Sequence, residues 1–268
     1  MGKVRFYIVL VISIGIAQIP NSTDVSKNFD SIKSLLDLFA SKRVDLIVFP
    51  ECGLSGFSAK MRECTTELLQ PYLDKIAKWV DDTGIEVVLP TALVEDGKIY
   101  NSGFWFKKKS HQRFYKLGLT DSEKKFFSVP DKSSAKVFRI KDYNLGLLVC
   151  FEVEQQPWAH FQAGDVDAIL WPGYWGWTTE SVWEEKRDEN RKNPIFANMQ
   201  EWQVPLLQAN FAYNDLEGHV GSGPEGLSYI VGHDNRLLHK GPHAKSEGFL
   251  VRLNKVHGQT LVESISGL

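Results

Sequence analysis

Strands and helices alternate from the start of this chain, which restricts it to layered α/β architectures. A strand-like run over residues 12–19 leads to Thr23-Asp24, a helix-capping pair. Val25, Phe29, Ile32, Leu36 and Phe39 then recur at helical spacing. The segment Val44-Asp45-Leu46-Ile47-Val48-Phe49 reads as a buried strand that stops at Pro50-Glu51. Pro71 is expected to open a second helix, with Tyr72, Leu73, Ile76 and Val80 on one side and a stop at Asp82-Thr83-Gly84. A third strand is predicted over 85–89, and Asp96-Gly97 marks a hairpin between 91–94 and 99–106. Further strands are predicted at 136–140, 145–150, 168–171, 205–210, 227–231, 236–239 and 248–253, with a polar helical region over 180–203 broken at Asn193-Pro194. No repeat or linker interrupts the pattern, so residues 1–268 read as one α/β sandwich domain.

Composition removes several function classes. At 268 residues and 43% hydrophobic content, one large core is affordable. A net charge of -2 implies no nucleic-acid surface, and the short runs Lys107-Lys108-Lys109 and Lys124-Lys125 read as solvated charge. Three cysteines show neither a disulfide framework nor zinc spacing, which points to a reducing compartment. His219, His233, His239 and His243 are scattered around turns, so no metal is expected. The glycine-rich stretch 218–224 reads as a loop without the Lys-Ser/Thr pair of a phosphate loop. Lys3 and Arg5 precede the apolar run 6–17 in the manner of a signal peptide, but the run is shorter than the ~20 residues a membrane span needs. We read a strand preceded by a short leader or start-site extension over 1–11, and a cytoplasmic protein.

Three predicted strand ends carry chemistry: Phe49-Pro50-Glu51, Phe114-Tyr115-Lys116-Leu117, and Val149-Cys150-Phe151-Glu152. A thiol becomes nucleophilic as the thiolate, which a nearby ammonium favours. A carboxylate can take the thiol proton and return it to leaving ammonia or amine. A lysine can hold the oxyanion of a tetrahedral intermediate together with the backbone N–H after the cysteine. Glu51, Lys116 and Cys150 therefore suffice for acyl transfer without a cofactor. Taken singly, each has a plainer reading: a small buried hydrophobe for Cys150, a helix cap for Glu51, a surface charge for Lys116. Cys52 adjoins Glu51 and would point away from a cleft faced by Glu51 on extended backbone; neither it nor Cys64 reads as the nucleophile.

Read together, the segments resemble the nitrilase, or carbon–nitrogen hydrolase, superfamily, in the family's order over nearly the whole chain. Gly15-Ile16-Ala17-Gln18 matches the opening strand. Val44 to Glu51 with Leu54-Ser55-Gly56-Phe57 matches the glutamate segment, and Asp96-Gly97-Lys98-Ile99-Tyr100-Asn101-Ser102 the following hairpin. Phe114-Tyr115-Lys116-Leu117-Gly118-Leu119 matches the lysine segment and Leu145-Gly146-Leu147-Leu148-Val149-Cys150-Phe151-Glu152 the nucleophile segment. Gly164 to Pro172 and Gln208-Ala209-Asn210 complete the frame.

The resemblance implies a four-layer αββα sandwich that pairs as a homodimer or larger even oligomer. It also implies a thioester on Cys150, hydrolysed by water that Glu51 activates, with Lys116 and the Phe151 N–H at the oxyanion. Glu123 is the candidate for the second glutamate that many members use to position substrate or water. Tyr174 and Trp175, in the loop after Pro172, would line the pocket, and Glu152 would orient Lys116 or an amide nitrogen. Packing or a structural carboxylate are the alternatives for these three. Two departures stand out. Gly118 replaces the usual histidine of the lysine segment, and Glu154-Gln155-Gln156-Pro157-Trp158 replaces an Arg-Phe-Pro-Glu-like string. The expected partner is a small-molecule amide, with nitrile or N-carbamoyl hydrolysis, or a degenerate ligand-binding member, as alternatives. With that arginine missing and Tyr174, Trp175 and Trp177 nearby, a neutral or aromatic-tolerant acyl group is expected, unless Arg187 or Arg191 swings in.

Overall fold

The computed structural model describes residues 11–131, 134–155, 161–162, 164–176, 183, 194–216 and 226–268. The loop 218–224, the interrupted part of the polar helical region before Pro194, and Trp177, Arg187 and Arg191 lie outside these residues, as do residues 1–10.

The first half builds one sheet. Strands β1 (Ile12–Ser22), β2 (Leu46–Val48) and β3 (Glu86–Glu95) run parallel, and β3, β4 (Lys98–Lys107) and β5 (Ser110–Tyr115) continue antiparallel. The second sheet starts with β6 (Val137–Ile140), then β7 (Tyr143–Leu147), β8 (Ala168–Pro172) and β9 (Leu206–Ala209), of which the last three are parallel. Next, β10 (Phe211–Asp215) returns to pair with β1, while β11 (Tyr229–Val231) and β12 (Leu237–Lys240) extend the second sheet beyond β9. Finally β13 (Glu247–Val256) and β14 (Gln259–Gly267) close the far side of β1, giving sheets of eight and six strands. The sequence pattern missed β10 and β14. Half of β14 faces solvent, so its polar residues carry no apolar run to read.

Burial explains the unbroken apolar run of β2. Leu46 and Val48 pack between the sheets with Ile14, Ile16, Leu145, Leu147, Leu170 and Leu207. Ile47 points the other way, with Val87 and Leu89, onto helices α1 (Val25–Ser41) and α2 (Thr66–Thr83). A two-sided strand must be apolar at every position, and each fully buried side chain contributes about 1.5–3 kcal/mol. The outer face of the second sheet, with Ile169, Trp171 and Leu206, is covered by Ile195, Phe196, Met199 and Trp202 of α3 (Pro194–Trp202). The layers are therefore α-β-β-α, as expected.

Local chemistry sets the boundaries. The Asp24 carboxylate accepts from the Ser26 N–H at 2.8 Å and caps α1. Helix α2 starts at Thr66 rather than Pro71, because the Thr65 hydroxyl caps the Leu68 N–H. It ends at Gly84 (φ 73°), a left-handed cap that favours glycine. Strand β3 runs through Pro90 instead of breaking there. Pro90 pairs with Gly103, where a Cβ would lie 2.7 Å from the Pro90 Cα, so only glycine lets the strands stay paired.

Candidate active site

The glutamate, the lysine and the cysteine each sit just past a strand end, at one end of the two-sheet core: Glu51 after β2, Lys116 after β5, Cys150 after β7. Glu51 and Lys116 are each 1% exposed. The Lys116 Nζ donates to Glu51 Oε1 at 2.8 Å and to Glu123 Oε1 at 2.6 Å. Its backbone N–H donates to the Asn101 carbonyl at 2.8 Å, which fixes where the side chain begins. Glu123 lies in a short turn, Glu123–Lys125, with its other oxygen accepting from the Thr120 N–H at 2.9 Å.

The Glu51 carboxylate is asymmetric. Oε1 accepts from Lys116 and from Asn101 Nδ2 at 2.7 Å, whereas Oε2 is buried and has no partner among the described residues. A buried acceptor without a donor costs about 1–3 kcal/mol, so this atom is held in reserve rather than satisfied by the fold. Asn101 belonged to a matched segment, but sequence reading gave it no role.

Cys150 opens a single turn of 3-10 helix, Cys150–Glu154, with a left-handed φ of 49°. Its thiol donates to the Tyr174 carbonyl at 3.9 Å, and its own carbonyl accepts from the Trp171 indole at 3.0 Å. Burial and the Glu51 charge push the thiol up, against the pull of Lys116. Burial of the thiol outweighs the pull of Lys116, which is shared between two carboxylates. Burial disfavours its charge, but Glu51, Cys150 and Glu123 together hold it above the usual lysine range. Burial likewise raises Glu51, with Lys116 opposing and Glu123 adding to the rise. The resting site thus carries a neutral thiol beside a carboxyl of raised affinity for protons, an arrangement suited to proton transfer during attack.

Phe151 follows the nucleophile in the same turn. Glu152 sits as a buried structural carboxylate, the alternative given for it. It is fully buried, and its carboxylate accepts from Lys136 Nζ at 2.6 and 2.8 Å and from the N–H groups of Leu117, Gly118 and Val149 at 2.6, 3.2 and 2.8 Å. It ties the lysine segment to the nucleophile segment. Burial lowers Lys136, opposed by the charge of Glu152. Lys136, 4% exposed, gave no sequence signal.

Cys52 departs from expectation. Residues 51–55 form a turn rather than extended backbone, with Cys52 at φ 54°, so its thiol comes within 3.8 Å of Asn101 Oδ1 instead of pointing away. It is fully buried, and burial with the Glu51 charge pushes it well above the usual thiol range.

The departure at Gly118 meets one residue of the other, Gln155; residues 156–158 of that string lie outside the described residues. A Cβ at Gly118 would sit 1.9 Å from Gln155 Oε1, so the Gln155 side chain fills the space a residue at 118 would need. Gly118→His alone is expected to expel Gln155 and reduce turnover severalfold, while adding Gln155→Ala should restore part of it. Steady-state rates over the double-mutant cycle check this; strict additivity would show that the two positions are uncoupled.

Tyr174, whose carbonyl meets the Cys150 thiol, also lines a cavity of about 480 Å³ together with Phe57, Met61, Ile99, Phe126, Leu216 and Arg62, among others; no member of the Glu51–Lys116–Cys150 trio is in its wall. Tyr174 stacks on Phe57 at 4.5 Å, and its hydroxyl accepts from Asn214 at 2.9 Å. Trp175 turns away. It meets Trp171 edge-on at 4.9 Å, and its backbone is held from both sides by Asn210 at 2.9 Å. Sequence reading did not place Arg62 here, because the turn that carries it has no pattern pointing to a pocket. Among the described residues no cluster of His, Cys, Asp or Glu is arranged to hold a metal ion.

The sequence pattern described as Carbon-nitrogen hydrolase matches residues 13–250. An (R)-stereoselective amidase of Pseudomonas sp is 33% identical over 193 residues, 70% of this chain and 64% of that protein. A nitrilase of Pyrococcus abyssi is 26% identical over 148 residues, 50% of this chain and 53% of that one. The matches therefore span roughly half to two thirds of these relatives' lengths. Among solved structures, an amidase from Nesterenkonia sp. superposes with a TM-score of 0.71 at 19% identity, covering 91% of this chain and 90% of that one. A CN-hydrolase superfamily protein from Xanthomonas campestris gives 0.71 at 16%, covering 92% and 91%.

Proposed function

Because this chain belongs to the carbon–nitrogen hydrolase family, we propose that it hydrolyses a small-molecule amide through a thioester on Cys150. The observation that carries this reading is the half-satisfied Glu51 carboxylate: one oxygen anchored by Lys116 and Asn101, the other buried and unpartnered among the described residues. Glu51 Oε2 takes the thiol proton as Sγ attacks the amide carbon. Lys116 and the Phe151 N–H stabilise the resulting oxyanion. The tetrahedral intermediate collapses with cleavage of the C–N bond, and Glu51 delivers its proton to the leaving ammonia or amine. Water then enters, gives a proton to Glu51, and attacks the thioester. Collapse releases the carboxylic acid and returns the proton to the sulfur. Glu123 holds the second side of Lys116, so the ammonium stays in place as charge moves from Glu51 to the oxyanion.

Intact-mass measurement after brief exposure to a panel of amides and nitriles tests the reading. An acyl adduct on wild-type protein, absent from Cys150→Ala, is expected. No adduct, together with no preference of a mild electrophile for Cys150 over Cys52, would overturn it in favour of a binding protein.

Assembly as a homodimer or larger even oligomer, and a cytoplasmic location, belong to the same proposal. Sedimentation at micromolar concentration reads the first directly. No helix among the described residues is long and apolar enough to cross a membrane.

A further inference from the structure

The cavity joins the nucleophile through one residue. Tyr174 places its carbonyl 3.9 Å from Cys150 Sγ and its ring in the cavity wall, stacked on Phe57. An acyl group attached to Sγ at one end would therefore extend along Tyr174 between Phe57, Met61, Ile99, Phe126 and Leu216. These are apolar side chains, and the volume of about 480 Å³ lies within the range of small-ligand sites.

Arg62 is the exception in that wall. It is exposed, stands on the turn Ala59–Glu63, and is paired with no carboxylate among the described residues. Arg113 makes a useful contrast, since its guanidinium is engaged by Glu95 at 2.5 Å. A cavity that is apolar apart from Ser58 and an unpaired guanidinium suits a molecule that is apolar in its body and carries one anionic group. The planar fork meets a carboxylate with two hydrogen bonds, and it does so at lower desolvation cost than an ammonium.

Resting on the amidase reading, we propose that the acyl group is an apolar chain or ring bearing a distal carboxylate, and that Arg62 is the specificity-determining residue that receives it. This reverses the expectation of a neutral acyl group, which followed from the missing arginine after the nucleophile. The cation is supplied instead by a segment far earlier in the chain, the turn Ala59–Glu63.

The test compares matched amides: 3-phenylpropanamide with its para-carboxylate, and straight-chain primary amides of several lengths with and without a terminal carboxylate. Wild type is expected to favour the carboxylate member of at least one pair by roughly tenfold in kcat/KM. Arg62→Gln should lose that preference through a higher KM for the carboxylate members, so that each pair reacts with similar kcat/KM. Added salt should erode it in wild type alone, since an exposed pair is screened. Release of ammonia from the neutral amides only, or a preference that survives Arg62→Gln, overturns the assignment and leaves the amidase reading standing. Release from none of them overturns both.

Discussion

Cys150→Ala is expected to abolish turnover, by roughly four to six orders of magnitude, with the fold intact. Glu51 and Lys116 alone cannot form the covalent intermediate, and removing a nucleophile that works as part of a unit costs about as much as removing the unit. The structural cost is small. Alanine keeps the Cβ, so the left-handed backbone at 150 is no better or worse accommodated, and the lost contact is one 3.9 Å thiol hydrogen bond. Ammonia release and a thermal melt on the same preparation check both halves. Turnover near wild-type levels, with contaminating enzyme excluded, would refute the assignment of the nucleophile.

Glu152→Ala is expected to give the largest loss of stability. It leaves the Lys136 ammonium buried without its counter-ion and strips the acceptor from three backbone N–H groups. Breaking a buried pair from one side costs about 3–5 kcal/mol, or a fall in Tm of about 6–20 °C for a chain of this size. Lys136→Met should cost less, because Glu152 keeps its three backbone donors. The double variant Lys136→Met/Glu152→Gln should recover part of the loss. Denaturant titration of the four proteins reads this coupling. Equal losses in the two single variants would show that the backbone donors contribute nothing.

The fold was legible wherever burial imposed a period. Leu46, Ile47 and Val48 announce a strand because both faces are covered, and the helix spacing from Val25 to Phe39 survives because one face of α1 is buried. The positions of Glu51 and Cys150 at strand ends were legible for the same reason, whereas β5 before Lys116 is largely exposed and Lys116 was read from its matched segment. What no local pattern carries is the partner of each group. The bond from Asn101 to Glu51 and the pair of Lys136 with Glu152 join residues far apart in sequence. So does the seating of Gln155 over Gly118. Cys52 was misplaced because alternation holds only on extended backbone, and the chain turns at Glu51. The burial of Cys150, which with the Glu51 charge raises the thiol against the pull of Lys116, is likewise absent from any local pattern.

The hydrogen bond from the Trp171 indole to the Cys150 carbonyl has a consequence for the neighbouring amide. The carbonyl of residue 150 and the N–H of residue 151 belong to one rigid plane and point in opposite directions across a trans peptide. A side chain that grips the oxygen on one side therefore aims the hydrogen on the other. Trp171 acts as a latch against rotation of that plane, setting the direction of a donor it never touches. Laboratory variants that reshape the cavity can change Phe57, Met61 or Leu216 freely by comparison. A smaller residue at 171 would let the plane swing, and the Phe151 donor would lose its bearing even with every residue around the substrate unchanged.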